Sequence, residues 1–145
     1  MKTQLLLIRH GETTWNAEHR IQGQLDIPLS PLGVLQSARL AECLANEPID
    51  AVYSSGQSRA WLTAAPLAAR LGLEVIAEPR LRERSFGIFE GLTLDEAAER
   101  HPSEFKKWRA IVSAINDTTY TPILGGGLHK PLYGSNRDLA LSLAE

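Results

Sequence analysis

The sequence predicts a layered α/β domain with parallel strands, on three observations. Short apolar runs of strand length recur at Leu5–Ile8, Ala51–Tyr53 and Leu73–Ala77. Stretches with helical patterning separate them, and strands joined through helices pair in parallel with right-handed crossovers. At 145 residues, 43% hydrophobic and 22% charged, the chain has the size and apolar content of one globular domain with its own core.

Taken in order, Leu5–Ile8 reads as a buried strand. Ser30 then offers an N-cap and Pro31 the first helical position of a helix running to about Asn46. Leu35, Ala38, Ala41 and Leu44 recur every three residues along it and predict the face that packs on the sheet. A short strand at Ala51–Tyr53 is followed by a helix over Ser58–Leu71, bent at Pro66 and stopped by Gly72, and then by a strand over Leu73–Ala77. Thr93-Leu94-Asp95-Glu96 has the form of a capping box, and Ser103 is expected to cap a further helix carrying Phe105 and Trp108. No internal repeat or low-complexity stretch interrupts this order.

Charge and composition exclude several classes of function. A net charge of −2 and a pI near 6.1 provide no field for nucleic acid or an acidic membrane. The four apolar residues ahead of Arg9 are too few for a signal-peptide core or a membrane span, so a soluble, cytoplasmic protein is expected. The single cysteine, Cys43, lies among alanines and leucines and is expected to be packed, with no redox role.

The apolar run 5–8 stops abruptly at Arg9-His10-Gly11, followed by Thr13, Thr14 and Asn16. In a parallel sheet the ligand crevice lies beyond the carboxyl ends of the strands, which is where this break falls. Arg9 supplies a planar fork suited to phosphate, and Thr13, Thr14 and Asn16 supply neutral donors. Gly11 removes a side chain where a ligand would approach the backbone. His10 can attack phosphorus as a neutral imidazole if a backbone carbonyl holds the proton on its other nitrogen; the alternative is a histidine that merely hydrogen-bonds at a strand end.

These residues belong to a longer constellation: Arg9-His10-Gly11-Glu12-Thr13, Trp15-Asn16, Gln22-Gly23, and Asp26-Ile27-Pro28-Leu29-Ser30-Pro31-Leu32-Gly33 with Gln36. It continues in Tyr53-Ser54-Ser55, Ser58-Arg59-Ala60, Thr63-Ala64, Leu81-Arg82-Glu83-Arg84-Ser85-Phe86-Gly87 and Glu90-Gly91. Over roughly residues 4 to 122 the chain resembles the histidine phosphatase superfamily, also called phosphoglycerate mutase-like. The resemblance implies a three-layer α/β/α sandwich, with His10 as the nucleophile that becomes phosphorylated. It further implies that Arg9, Arg59, Asn16, Gln22 and Gly23 bind the substrate phosphoryl group, and that Glu83 donates a proton to the leaving group. Phosphoryl transfer depends on positioning and on neutralising oxygen charge, so two guanidinium groups suffice without metal or cofactor. A phosphate dianion beside Glu83 favours its protonated form.

The segment Ser85–Gly91 resembles the phosphatase branch rather than the mutase branch, so hydrolysis of a small phosphorylated metabolite is expected. Residues of about 86–120 would form a cap over the pocket, with Trp15, Phe86, Phe89 and Trp108 as candidate apolar walls. Arg82 and Arg84 are read as solvated. The resemblance ends after Thr121-Pro122, so the fold is expected to be C-terminally incomplete: domain 1–122, then a divergent tail over 123–145. Gly125-Gly126-Gly127 reads as a hinge, His129 does not match the family's second histidine, and Asp138–Ala144 can form a short helix. A missing strand would leave an exposed edge, making a homodimer one expected partner arrangement. Two further readings of function stand beside the phosphatase: a phosphate-binding domain with little or no turnover, and a phosphoglycerate mutase, an isomerase.

Overall fold

The computed structural model describes residues 3–116. In order come α1 (Thr14–Ala17), α2 (Pro31–Cys43), β1 (Val52–Ser54), α3 (Ser58–Leu71), β2 (Val75–Ala77), α4 (Leu94–Arg100) and α5 (Pro102–Asn116). Single 3₁₀ turns lie at Pro79–Leu81 and Gly87–Phe89. β1 and β2 pair in parallel, Val52 opposite Val75, Tyr53 opposite Ile76 and Ser54 opposite Ala77, with α3 as the crossover. The fold is therefore α/β with a parallel sheet. The described residues divide into two compact units, Leu7–Ala97 and residues 3–6 with 98–116. Everything that positions the site described below belongs to the first.

Local signals are realised where the sequence placed them. The Ser30 hydroxyl accepts the Gly33 amide at 3.1 Å and Pro31 opens α2. Gly72 ends α3 in the left-handed region, at φ 69°, where a side chain would be strained. At α4 the Thr93 hydroxyl accepts the Glu96 amide at 3.1 Å, and the Glu96 carboxylate accepts the Thr93 amide at 3.0 Å. α5 differs from expectation: it begins at Pro102, so Ser103 lies in its first turn rather than capping it. Proline takes the first helical position at no cost because that amide would have no helical partner.

Three expectations that depended on distant contacts are corrected. Leu5–Ile8 is not a buried strand: its side chains are 63%, 50%, 70% and 44% exposed, and it joins no ladder. Among the described residues the sheet consists of β1 and β2, which pair with each other, so the run has no strand beside it. Of the stripe expected to pack, Ala41 is buried and Leu44 half-buried, while Leu35 and Ala38 are exposed; the buried face of α2 is Gly33, Ser37 and Ala41. α2 lies against α3, and the Ser37 hydroxyl is satisfied by the Gly33 carbonyl at 2.8 Å. Cys43, at the last turn of that helix and off this face, is exposed rather than packed. The tail features at 125–127, 129 and 138–144 lie outside the described residues.

Much of what is buried is polar. Beside apolar Leu29, Val52, Leu67, Ala68 and Phe89, the interior holds Thr13, Ser30, Ser37, Ser54, Ser55, Gln57, Arg59 and Thr63. Buried polar groups must find partners. Here they find them in the loops after β1 and around residues 9–13.

Candidate active site

The segment His10–Glu12 lies directly against the start of α2. A β-carbon on Gly11 would sit 2.7 Å from the Gly33 carbonyl oxygen, and one on Gly33 would overlap the Glu12 carbonyl. Gly11 thus makes room for α2. The segment is then fastened on both sides. The Glu12 amide donates to Gln36 at 2.8 Å, and the Ser30 amide donates to the Glu12 carbonyl at 2.8 Å. From α3, the Thr63 hydroxyl accepts the Gly11 amide at 2.9 Å and donates to the Arg59 carbonyl at 2.7 Å.

On this rigid base the Nδ1 of His10 lies 2.7 Å from the Gly11 carbonyl oxygen. A carbonyl only accepts, so Nδ1 carries the proton and, in the neutral ring, Nε2 keeps its lone pair. Partial burial lowers the imidazole below its ordinary value of 6.5; the Gly11 carbonyl pulls it up, Arg59 and Arg9 push it down, and Glu83 raises it. The net effect favours the neutral ring at physiological pH. Three side chains singled out in the sequence, Arg9, Arg59 and Glu83, are therefore close enough for their charges to act on the histidine.

Arg59, in the first turn of α3, is only 3% exposed. Its guanidinium donates to the Leu25 carbonyl at 2.8 Å, the Gly23 carbonyl at 2.8 Å and the Gln57 side-chain oxygen at 3.1 Å. Burial lowers its pKa, and Asp26, Glu83 and Glu90 offset part of that cost. A cation at a helix N-terminus opposes the helix dipole, and Asp26 compensates by accepting the Ser58 amide at 2.7 Å and the Ser58 hydroxyl at 2.8 Å. Of the five guanidinium hydrogens three are engaged in these bonds, leaving Nε–H and one NH1 hydrogen.

The other expected residues are distributed unevenly. Arg9 is exposed and lines, with His10, Gly11, Gln36, Leu40 and Thr63, a cavity of about 230 Å³. Thr13 is not a ligand donor: it is fully buried, its hydroxyl capping α1 by accepting the Asn16 amide at 3.1 Å. The Asn16 side-chain oxygen is committed to the Thr13 amide at 3.0 Å, leaving its NH₂ group as donor. Gln22 has its side-chain oxygen buried without a hydrogen-bond partner among the described residues. Glu83 is exposed; its carboxylate accepts the Arg84 amide at 2.9 Å, and its carbonyl accepts the Gln24 side chain. Arg84 stacks on Phe86, 4.5 Å from the ring centre. Of the aromatic walls, Phe89 is core and Trp15 rests against Gly91, while Trp108 stacks on Phe105 along α5. Among the described residues no three His, Cys, Asp or Glu side chains are grouped to hold a metal ion, and no helix is long and apolar enough to cross a membrane.

Sequence reasoning gave no role to Thr63, Gln57, Asp26, Gln24 or Glu90, which hold the site's backbone. Each works through a partner more than 30 residues away, as in Thr63 with Gly11, Asp26 with Ser58 and Glu90 with Gln24. Asp26, Thr63 and Glu90 stand in the quoted constellation, but Thr63 lies within α3 and the others in or beside loops, so no local pattern points to their partners.

The sequence profile of the histidine phosphatase superfamily (branch 1) matches residues 5–117. The chain is 42% identical over 126 residues to phosphoglycerate mutase-like protein 4 of Arabidopsis thaliana, covering 86% of this chain and 52% of that protein. It is 44% identical over 128 residues to a metal-independent phosphoserine phosphatase of the same plant, covering 86% and 51%. Among solved structures, mycobacterial glucosyl-3-phosphoglycerate phosphatase in complex with VO3 superposes with a TM-score of 0.64 at 40% identity, covering 69% of this chain and 48% of that one. The chain spans about half the length of the curated relatives it matches.

Proposed function

Because the chain belongs to the histidine phosphatase superfamily, branch 1, we propose that it hydrolyses phosphomonoesters of small metabolites through a phosphohistidine at His10. The observation that carries this reading is the Nδ1 contact with the Gly11 carbonyl, which fixes the tautomer and leaves Nε2 as the nucleophile, with Arg9, Arg59 and Glu83 around the ring. In the first half-reaction an Nε2–P bond forms as the ester P–O bond breaks. Glu83 gives its proton to the departing oxygen, releasing the alcohol. In the second, water attacks phosphorus, the Glu83 carboxylate takes a proton from it, and inorganic phosphate leaves as His10 is restored. Arg9 and the unengaged hydrogens of Arg59 neutralise the phosphoryl oxygens, with Asn16 and the Gln22–Gly23 turn as further donors.

Relatives named as phosphoserine and glucosyl-3-phosphoglycerate phosphatases support a substrate that is a small phosphorylated metabolite, and one is named metal-independent. A second reading is phosphate binding with little turnover. Release of inorganic phosphate from a panel of phosphomonoesters, in EDTA and beside His10→Ala, separates the two. Turnover that the variant loses is the expected result. Saturable vanadate binding without turnover is the result that favours the second reading, and phosphoryl exchange between phosphoglycerate isomers would instead identify a mutase.

A further inference from the structure

The Glu83 loop and the Gly23–Gln24 turn are joined through one carboxylate. Glu90 Oε1 accepts the Gln24 amide at 3.1 Å, the Phe86 amide at 2.8 Å and the Ser85 hydroxyl at 3.0 Å. On its far side the turn is held by Arg59, which donates to the Gly23 carbonyl, and its Gln24 side chain donates to the Glu83 carbonyl. Gly23 sits at φ 54°, and a β-carbon there would overlap the Glu90 carboxylate, so turn and carboxylate share one space that only glycine leaves open.

We infer that Glu90 is a positioning residue, whose carboxylate locks the loop bearing Glu83 onto the turn that Arg59 holds. Proton donor and phosphoryl-binding guanidinium thereby keep a fixed geometry. The inference rests on the phosphatase reading above and adds to it a residue that touches neither substrate nor reacting atoms. The group is suited to the task because its charge is secured locally. Burial alone would raise the Glu90 carboxyl, but the amides of Gln24, Phe86 and Gly87 and the Ser85 hydroxyl bring it below the ordinary carboxylate range. A charged acceptor with several donors makes the stronger class of hydrogen bond.

A positioning role for a proton donor has a signature that a merely structural role lacks. p-Nitrophenolate leaves phosphorus without help, whereas an alkoxide such as that of serine must be protonated as it departs. The full chain and its Glu90→Ala, Glu90→Gln and Glu83→Gln variants are therefore assayed on p-nitrophenyl phosphate and on phosphoserine. Glu90→Ala is expected to lower kcat/KM, which reads the first half-reaction alone, about 10²-fold on phosphoserine and less than about threefold on the aryl ester, reproducing the Glu83→Gln pattern. Glu90→Gln, which retains a carbonyl oxygen, is expected to recover most of the loss. Equal losses on the two esters, or none, would overturn the inference. If the unaltered protein turns over neither ester, the phosphatase reading is what has failed. Amide exchange then tests the lock itself: faster exchange at Gln24 and Phe86 in Glu90→Ala, with α3 unchanged, supports it, and unchanged exchange at those amides overturns it.

Discussion

The turn Gly23–Leu25 and the loop around Glu83 are joined through the Gln24 side chain but are held differently. The turn is gripped from the interior by Arg59, 3% exposed and bonded to the Leu25 and Gly23 carbonyls and to Gln57. The Glu83 loop lies exposed and is tied down by Glu90 and by the Gln24 side chain. On the proposed mechanism the buried guanidinium serves fold and chemistry together, so removing it is expected to damage both. The half-buried Glu90 carboxylate is expected to fix alignment alone, its loss leaving the fold standing.

That difference can be broken at its strong end first. Arg59→Ala leaves the Leu25 carbonyl and the Gln57 side-chain oxygen without their donor and the Gly23 carbonyl with only the Gln57 side-chain amide at 3.3 Å, and urea unfolding is expected to show a loss of about 3 kcal/mol or more, together with loss of vanadate binding. A variant that binds vanadate normally would show that Arg59 serves the fold only. Gly33→Ala forces a methyl group into the Glu12 carbonyl, where backbone must move, and about 2–3 kcal/mol of destabilisation is expected in the same assay. Gly87→Ala, in the exposed loop, is the matched control: its φ is 55° but its surroundings are open, so only the left-handed backbone costs, about 1 kcal/mol. Thr63→Val lies between them, leaving the buried Gly11 amide unmet at about 2 kcal/mol.

The smallest expected effect is a dependence on pH. Burial first, and then Arg59 and Arg9, hold the folded His10 below its unfolded value of 6.5 against the upward pull of the Gly11 carbonyl and Glu83. Between the two values the unfolded chain binds the extra proton, so stability rises with pH there. The contribution of the neutral ring is fully present above 6.5 and is lost as pH falls through the folded value. Comparison of unfolding free energies with His10→Ala across that range is expected to show the stability gap shifting in this direction. A gap that stays constant with pH would mean that the ring titrates alike in both states.

The same contrast between local and distant determinants explains how much was legible in the sequence. Ser30-Pro31, Gly72 and the Thr93–Glu96 box act within a few residues, and each appears in the structure where it was read. The parallel pairing of β1 with β2 followed from the helix between them. The fate of Leu5–Ile8 did not follow, because periodicity says that a segment is apolar but not which strand lies beside it. The α2 face was legible at Ala41 but not at Gly33, whose neighbour, the Glu12 backbone, lies in another segment. At the site, Arg9 and His10 stood out by type where the apolar run breaks, whereas Arg59 and Glu83 were singled out by the family resemblance. Gly11 was visible but its reason was not: the atom it avoids, the Gly33 carbonyl, belongs to another element.

The central claim is that His10 carries the phosphoryl group on Nε2. The direct test is to mix the full chain with a phosphomonoester, quench in alkali, and locate the acid-labile phosphate by ³¹P NMR and peptide mapping, with His10→Ala alongside. A phosphoramidate on His10 at Nε2, absent from the variant, is the predicted result. Phosphate released with no phosphohistidine on any time scale of turnover, or a phosphoryl group found at another residue, would contradict it.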